Sequence, residues 1–179
     1  MTEHHFSLVP FPDLVLPVIN ISGRIAREQG KLAIHFSLTG NREEIIFPPA
    51  ASGPGRRDEL WMGTCFELFL ALQGQPQYWE FNLSPSGHWN AYRMDAYRRI
   101  GFREESLIEH LQVDFLEDAD CLATAAYVDL SPIIPPGEIV QAAVTSVIQT
   151  RSGHETYWAL SHPAPQPDFH LREGFLLHL

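Results

Sequence analysis

The chain has 179 residues, 45% of them hydrophobic, with 12 basic against 22 acidic side chains and a net charge of −10. That sign is wrong for neutralising a phosphate backbone or an anionic lipid surface, so no nucleic-acid or membrane partner is expected. The length suffices for one buried core, and a single domain over 1–179 is expected.

The opening MTEHHFSLVPFPDLVLP has no basic region followed by an uninterrupted apolar stretch. Nowhere do about 18 apolar residues run consecutively, so a soluble, cytoplasmic chain is expected. Next, Val18 to Ile25 alternate apolar and polar, and Leu32, Ile34, Phe36 and Leu38 alternate again after Gln29-Gly30. This pattern predicts a hairpin with a two-residue loop.

Further strands are predicted over 44–47, 64–72, 78–84, 88–94, 121–130, 139–149 and 156–161, between turn-rich stretches such as SGPGRRD and SPIIPPGE. Segment 104–116 carries both a helical and an alternating pattern, and is expected to be a short helical piece leading into a strand. Cys65 and Cys121 sit in apolar strand-like runs and are expected to be free thiols. About nine or ten short strands, punctuating prolines and no long helix predict an all-β antiparallel sandwich of jelly-roll or immunoglobulin-like type, with at most one or two short helices.

A hairpin loop at Gly74-Gln75 sets Phe66 opposite Leu83, Leu68 opposite Phe81 and Leu70 opposite Trp79, which defines a core face including Trp79. Period-two alternation then sends Glu67, Glu80 and Asn82 to the other face, with Glu67 beside Asn82. The stretch Ser84-Pro85-Ser86-Gly87 fits a type I turn that pairs Ser84 with Gly87, placing Trp89 beside Asn82 and Arg93 beside Tyr78. Glu67, Asn82 and Trp89 would then form one row; a one-residue slip would turn Trp89 into the core instead.

Carboxylates and an amide beside flat rings suit a sugar, whose C–H groups pack on indole while its hydroxyls find donors and acceptors. The plainer account of Glu67 and Glu80 is a solvated strand face, or an ion pair with Arg93. Trp158, alternating with Thr156 and Leu160, fits core or ligand face equally, and Trp61 follows a Gly-rich charged loop near a rim.

Taken together, LWMGTCFELFL, YWEFNLSPSGHWNAYR, YWALSHP and PDFHLREGFLLHL resemble the DOMON-like domains related to family 9 carbohydrate-binding modules. The resemblance spans most of the chain and is most specific from Trp61 through Arg93. It implies a jelly-roll-like sandwich and two tryptophans clamping a terminal sugar. Trp61, six residues before Glu67, matches the first; Trp158 matches the second, with Asn82 or Arg93 supplying hydrogen bonds at the sugar's edge.

The expected function is therefore non-catalytic binding of a small saccharide or other small polar ligand through Trp61, Glu67, Glu80, Asn82, Trp89, Arg93 and Trp158, with no cofactor and no metal. Three alternatives remain open. Haem-binding DOMON relatives use Met and His, and Met62, Met94, His88 and His162 are present without diagnostic spacing. A glycosidase would use Glu67 and Glu80 as its carboxylate pair. A protein-interaction module would present the same exposed aromatics to another chain. Nucleophile elbows, zinc-spaced Cys/His clusters and phosphate loops are missing from the sequence. Oligomeric state is left open.

Overall fold

The computed structural model describes residues 1–13, 15–98, 103–118 and 120–179. Its strands are β1 (Thr2–Ser7), β2 (Val9–Pro10), β3 (Ile19–Glu28), β4 (Lys31–Gly40), β5 (Cys65–Leu72), β6 (Tyr78–Leu83), β7 (Trp89–Met94), β8 (Arg103–Glu104), β9 (Leu111–Glu117), β10 (Cys121–Asp129), β11 (Val140–Gln149), β12 (Glu155–Ala159) and β13 (Leu177–His178). Three 3-10 turns, Arg42–Glu44, Leu60–Met62 and Arg172–Gly174, complete the elements. The architecture is all-β with antiparallel sheets, as predicted.

One sheet runs β1-β3-β4-β10-β9; the other runs β2-β12-β11-β5-β6-β7-β8, with β13 also paired to β11. Inward residues of both sheets, among them Ile25, Ile34, Phe36, Phe66, Phe81 and Val144, form one apolar core. In β4 buried positions alternate with partly exposed ones, because its outer face meets water. By contrast, β5 and β6 are buried along almost their whole length. A second apolar cluster explains this, joining Phe69, Tyr78, Tyr92 and Met94 to Phe175, with Trp61 and Phe169 packed against it. The C-terminal segment thus lies over the outer face of the second sheet, and this cover shapes the candidate site.

The β3–β4 hairpin forms as predicted, with Glu28 paired to Lys31. Gln29 and Gly30 both take positive φ, 46° and 85°, the geometry of a two-residue loop matched to strand twist. The β5–β6 register also agrees, Phe66 to Leu83 through Leu70 to Trp79. The connecting loop is longer than two residues, since pairing stops at Ala71 and Tyr78.

The β6–β7 register is shifted by one: Leu83 faces Trp89, Asn82 faces Asn90, and Trp79 faces Arg93. The turn exists at Ser84–Gly87, with the Gly87 amide donating to Ser84 O at 2.9 Å. However, Gly87 has φ 90° and Ser84 pairs onward with His88. A left-handed residue after a type I turn inserts one extra position, which reverses the phase of every residue that follows.

Other expectations are corrected locally. Segment 44–47 is no strand: Ile45 makes a single bridge to Thr150, and Pro48 and Pro49, lacking amide hydrogens, end any ladder. No helix forms in 104–116. There the Glu105 carboxylate accepts from the Leu107 amide at 3.1 Å and from the Trp79 indole at 3.0 Å, a turn that competes with helical bonding. Strand β1 was not expected; it pairs with β3 at the sheet edge and buries only Phe6, so it lacks an apolar alternation. Both cysteines are free, Cys65 buried and Cys121 half-buried.

Candidate functional site

Outward residues of the second sheet line up in rows across the strands. Thr145 on β11 faces Glu67 on β5, which faces Asn82 on β6, which faces Asn90 on β7. Asn90 therefore takes the place expected for Trp89. In the next row, Ala143, Phe69, Glu80 and Tyr92 follow the same order.

These rows form the floor of a cavity of about 590 Å³. Glu67, Phe69, Tyr78 and Glu80 lie at its base. Trp61, Met62, Tyr92 and Met94 line one side, while Val147, Glu155, Tyr157, Pro167, Phe169, His170 and Arg98 complete it. Trp61 sits in the 3-10 turn before β5 and meets Tyr92 edge-on, centroids 5.5 Å apart. Tyr157 on β12 meets Phe169 the same way at 6.0 Å.

Glu67 is only 3% exposed and Glu80 8%. Glu67 Oε2 accepts from the Thr145 hydroxyl at 3.0 Å, and Glu80 Oε1 accepts from Asn82 Nδ2 at 2.8 Å. Asn82 Oδ1 is buried without a hydrogen-bond partner. Glu80 stands diagonally from Glu67 across β5 and β6, an offset that places Cβ atoms roughly 7–8 Å apart or less. Burial first, and the charge of Glu80 second, push the Glu67 carboxyl up to about 8. Burial pushes Glu80 up to about 7 against the opposing bond from Asn82. Two carboxylates buried in one floor resist joint ionisation, so the pair retains protons near neutrality.

The surrounding groups are neutral or already paired. His170, whose Nδ1 hydrogen-bonds the Tyr78 hydroxyl at 2.9 Å, is held down to about 4 by burial and by Arg98. Arg98 is bound to Asp168 at 3.0 Å. The Tyr92 hydroxyl donates to Asp58 and accepts from Asn90 Nδ2, which fixes the ring beside Trp61. Burial also raises the Cys65 thiol well above its ordinary value, leaving it uncharged on the same face of β5 as Glu67.

Of the predicted site residues, Trp61, Glu67 and Glu80 meet in the cavity, and Asn82 supports Glu80 from the adjoining row. Trp89 does not: it lies in the sandwich core, 6% exposed, with the Arg56 guanidinium 4.5 Å from its ring, as the extra turn residue requires. Trp158 is core too, 4% exposed, because it pairs with inward Ser146; its neighbour Tyr157 faces the cavity. Arg93 shares the inner face with Trp79 at the sheet margin. It bonds Gln77 at 3.0 Å and approaches Asp95 at 3.7 Å, so it is no partner for either glutamate.

The β5–β6 alternation already sends Tyr78 to this face, whereas Tyr92, Tyr157, Phe169, His170 and Arg98 were missed from sequence. Tyr92 and Tyr157 follow from alternation once the phase is known; Arg98 lies just beyond β7, and Phe169 and His170 come from a segment distant in sequence. Among the Met and His candidates for haem, Met62 and Met94 reach the cavity, whereas His88 bonds Gly55 O and His162 bonds Val9 O. No group of three or more His, Cys, Asp or Glu able to hold a metal occurs among the described residues.

No protein-family model matches the sequence, and no curated protein matches it. Solved structures do share the fold. A presumed carbohydrate-binding protein from Bacteroides uniformis superposes with TM-score 0.66 at 14% identity, over 96% of this chain and 84% of that one. A family 9 carbohydrate-binding module from Caldicellulosiruptor kristjanssonii, in complex with cellotriose, superposes with TM-score 0.55 at 13% identity, over 85% of this chain and 70% of that one. The sandwich is thus an architecture shared with carbohydrate-binding modules.

Proposed function

We propose that this chain is a non-catalytic module that binds a small saccharide in the cavity over Glu67 and Glu80. The observation that carries the proposal is the combination of two buried carboxyls on the floor with the Trp61, Tyr92 and Tyr157 rings around them. Rings offer apolar faces to sugar C–H groups, and carboxyls accept from hydroxyls that have left water. The fold shared with carbohydrate-binding modules supports the same conclusion.

Both glutamates rise from one sheet face, whereas glycosidase carboxyls flank the scissile bond from opposite sides. This arrangement favours binding over hydrolysis. Stacking and a few hydrogen bonds on a small ligand give micromolar to millimolar affinity. Titration calorimetry against a panel of mono- and oligosaccharides tests the proposal. Saturable binding that disappears in Trp61→Ala, with the fold retained, is expected; a panel with no saturable binding overturns it.

A further inference from the structure

We propose that the preferred saccharide carries a protonated amine, seated between the Glu67 and Glu80 carboxylates; this rests on the saccharide assignment above. Among the described residues, neither carboxylate has an ion-pair partner. The groups facing them include, among the described residues, no uncommitted cation. On β11 and β6 these are the Thr145 hydroxyl and the Asn82 amide, and on β5 the uncharged Cys65 thiol. From the covering segments come His170, kept neutral by burial, and Arg98, committed to Asp168 through two bonds of 3.0 and 3.3 Å. Glu155 adds a further carboxylate to the lining, taking a hydrogen bond from Tyr157 at 3.1 Å.

A neutral sugar entering this cavity satisfies hydrogen bonds but leaves two buried acids to hold their protons or face each other as anions. An ammonium supplies three donors and a charge in one atom. It also suits the aromatic walls, whose ring faces attract cations. Binding such a group favours the ionised pair, so protons pass from the carboxyls to the buffer as the amine docks.

The test is titration calorimetry at neutral pH with the β-1,4-linked glucosamine trisaccharide, cellotriose, the N-acetylated trisaccharide and ethanolamine. The glucosamine form is expected to bind about tenfold tighter than cellotriose, and acetylation, which removes the charge, should cancel the gain. In buffer acidic enough for the free amine to be fully protonated, its heat should vary with buffer ionisation enthalpy more steeply than that of cellotriose, a measure of proton release that needs no variant. A folded Glu67→Gln/Glu80→Gln double variant should bring the glucosamine trisaccharide to the cellotriose level. Equal affinity of the wild-type chain for the amine and cellotriose overturns the amine preference and leaves the saccharide assignment standing. Silence from all three sugars overturns both, whether or not ethanolamine binds.

Discussion

Glu67 and Glu80 stand diagonally across β5 and β6 on the floor of one cavity, each almost wholly buried and each held by a single neutral hydrogen-bond donor. Folding raises both carboxyls above the ordinary value of 4.5, so the native state binds protons that the unfolded chain releases. Their contribution to stability is therefore complete below about pH 4.5 and is lost as pH rises through about 7 to 8. In denaturant titrations this pair should make the chain more resistant at about pH 5 than at about pH 9, and Glu67→Gln, which keeps an acceptor for Thr145, should flatten that slope.

On the acid side His170 behaves oppositely. Its folded value lies near 4, below the ordinary 6.5, so its contribution is present above 6.5 and is lost as pH falls toward 4. Because the carboxyl pair acts in the opposite direction over the same range, the effect is read as a difference: the excess thermal stability of the wild-type chain over His170→Gln should shrink as pH falls from about 6.5 to about 4.

Trp61 and Trp89 separate binding from stability. Trp89→Ala empties a core site and removes the ring beneath Arg56, so denaturation should register a loss of about 3–5 kcal/mol. Trp61 is half-buried at the cavity margin, and Trp61→Ala should cost about 1 kcal/mol of stability while abolishing saccharide binding in calorimetry.

Tyr157 is the aromatic residue of β12 that faces the cavity. Tyr157→Ala should weaken saccharide binding about tenfold, the scale of one lost ring contact, with the melting temperature nearly unchanged. Trp158→Ala should instead lower stability by about 3–5 kcal/mol through the core.

Gly87 holds the phase of β7. Its φ of 90° disfavours any side chain, and an added Cβ would lie 3.2 Å from Pro54 carbons. Gly87→Ala should cost about 1–2 kcal/mol, measured by urea denaturation, with the loss concentrated in faster hydrogen exchange across β6 and β7.

Sequence alternation by itself determined that this chain makes two antiparallel sheets, that Phe66, Leu68, Leu70 and Trp79 share the core face, and that Glu67, Glu80 and Asn82 oppose them. Those conclusions are local, since period-two patterning and a hairpin register depend on residues close in the chain. Only the tertiary structure decided which side of the sandwich received Trp89 and Trp158, because one left-handed glycine and the position of β12 beside β11 set their phase. It alone converted a strand face into a cavity, by laying Trp61 and the segment carrying Phe169, His170 and Phe175 over β5 and β6. Contacts between residues about 100 positions apart leave no periodic mark in either segment, and the burial of Glu67 and Glu80 follows from that cover.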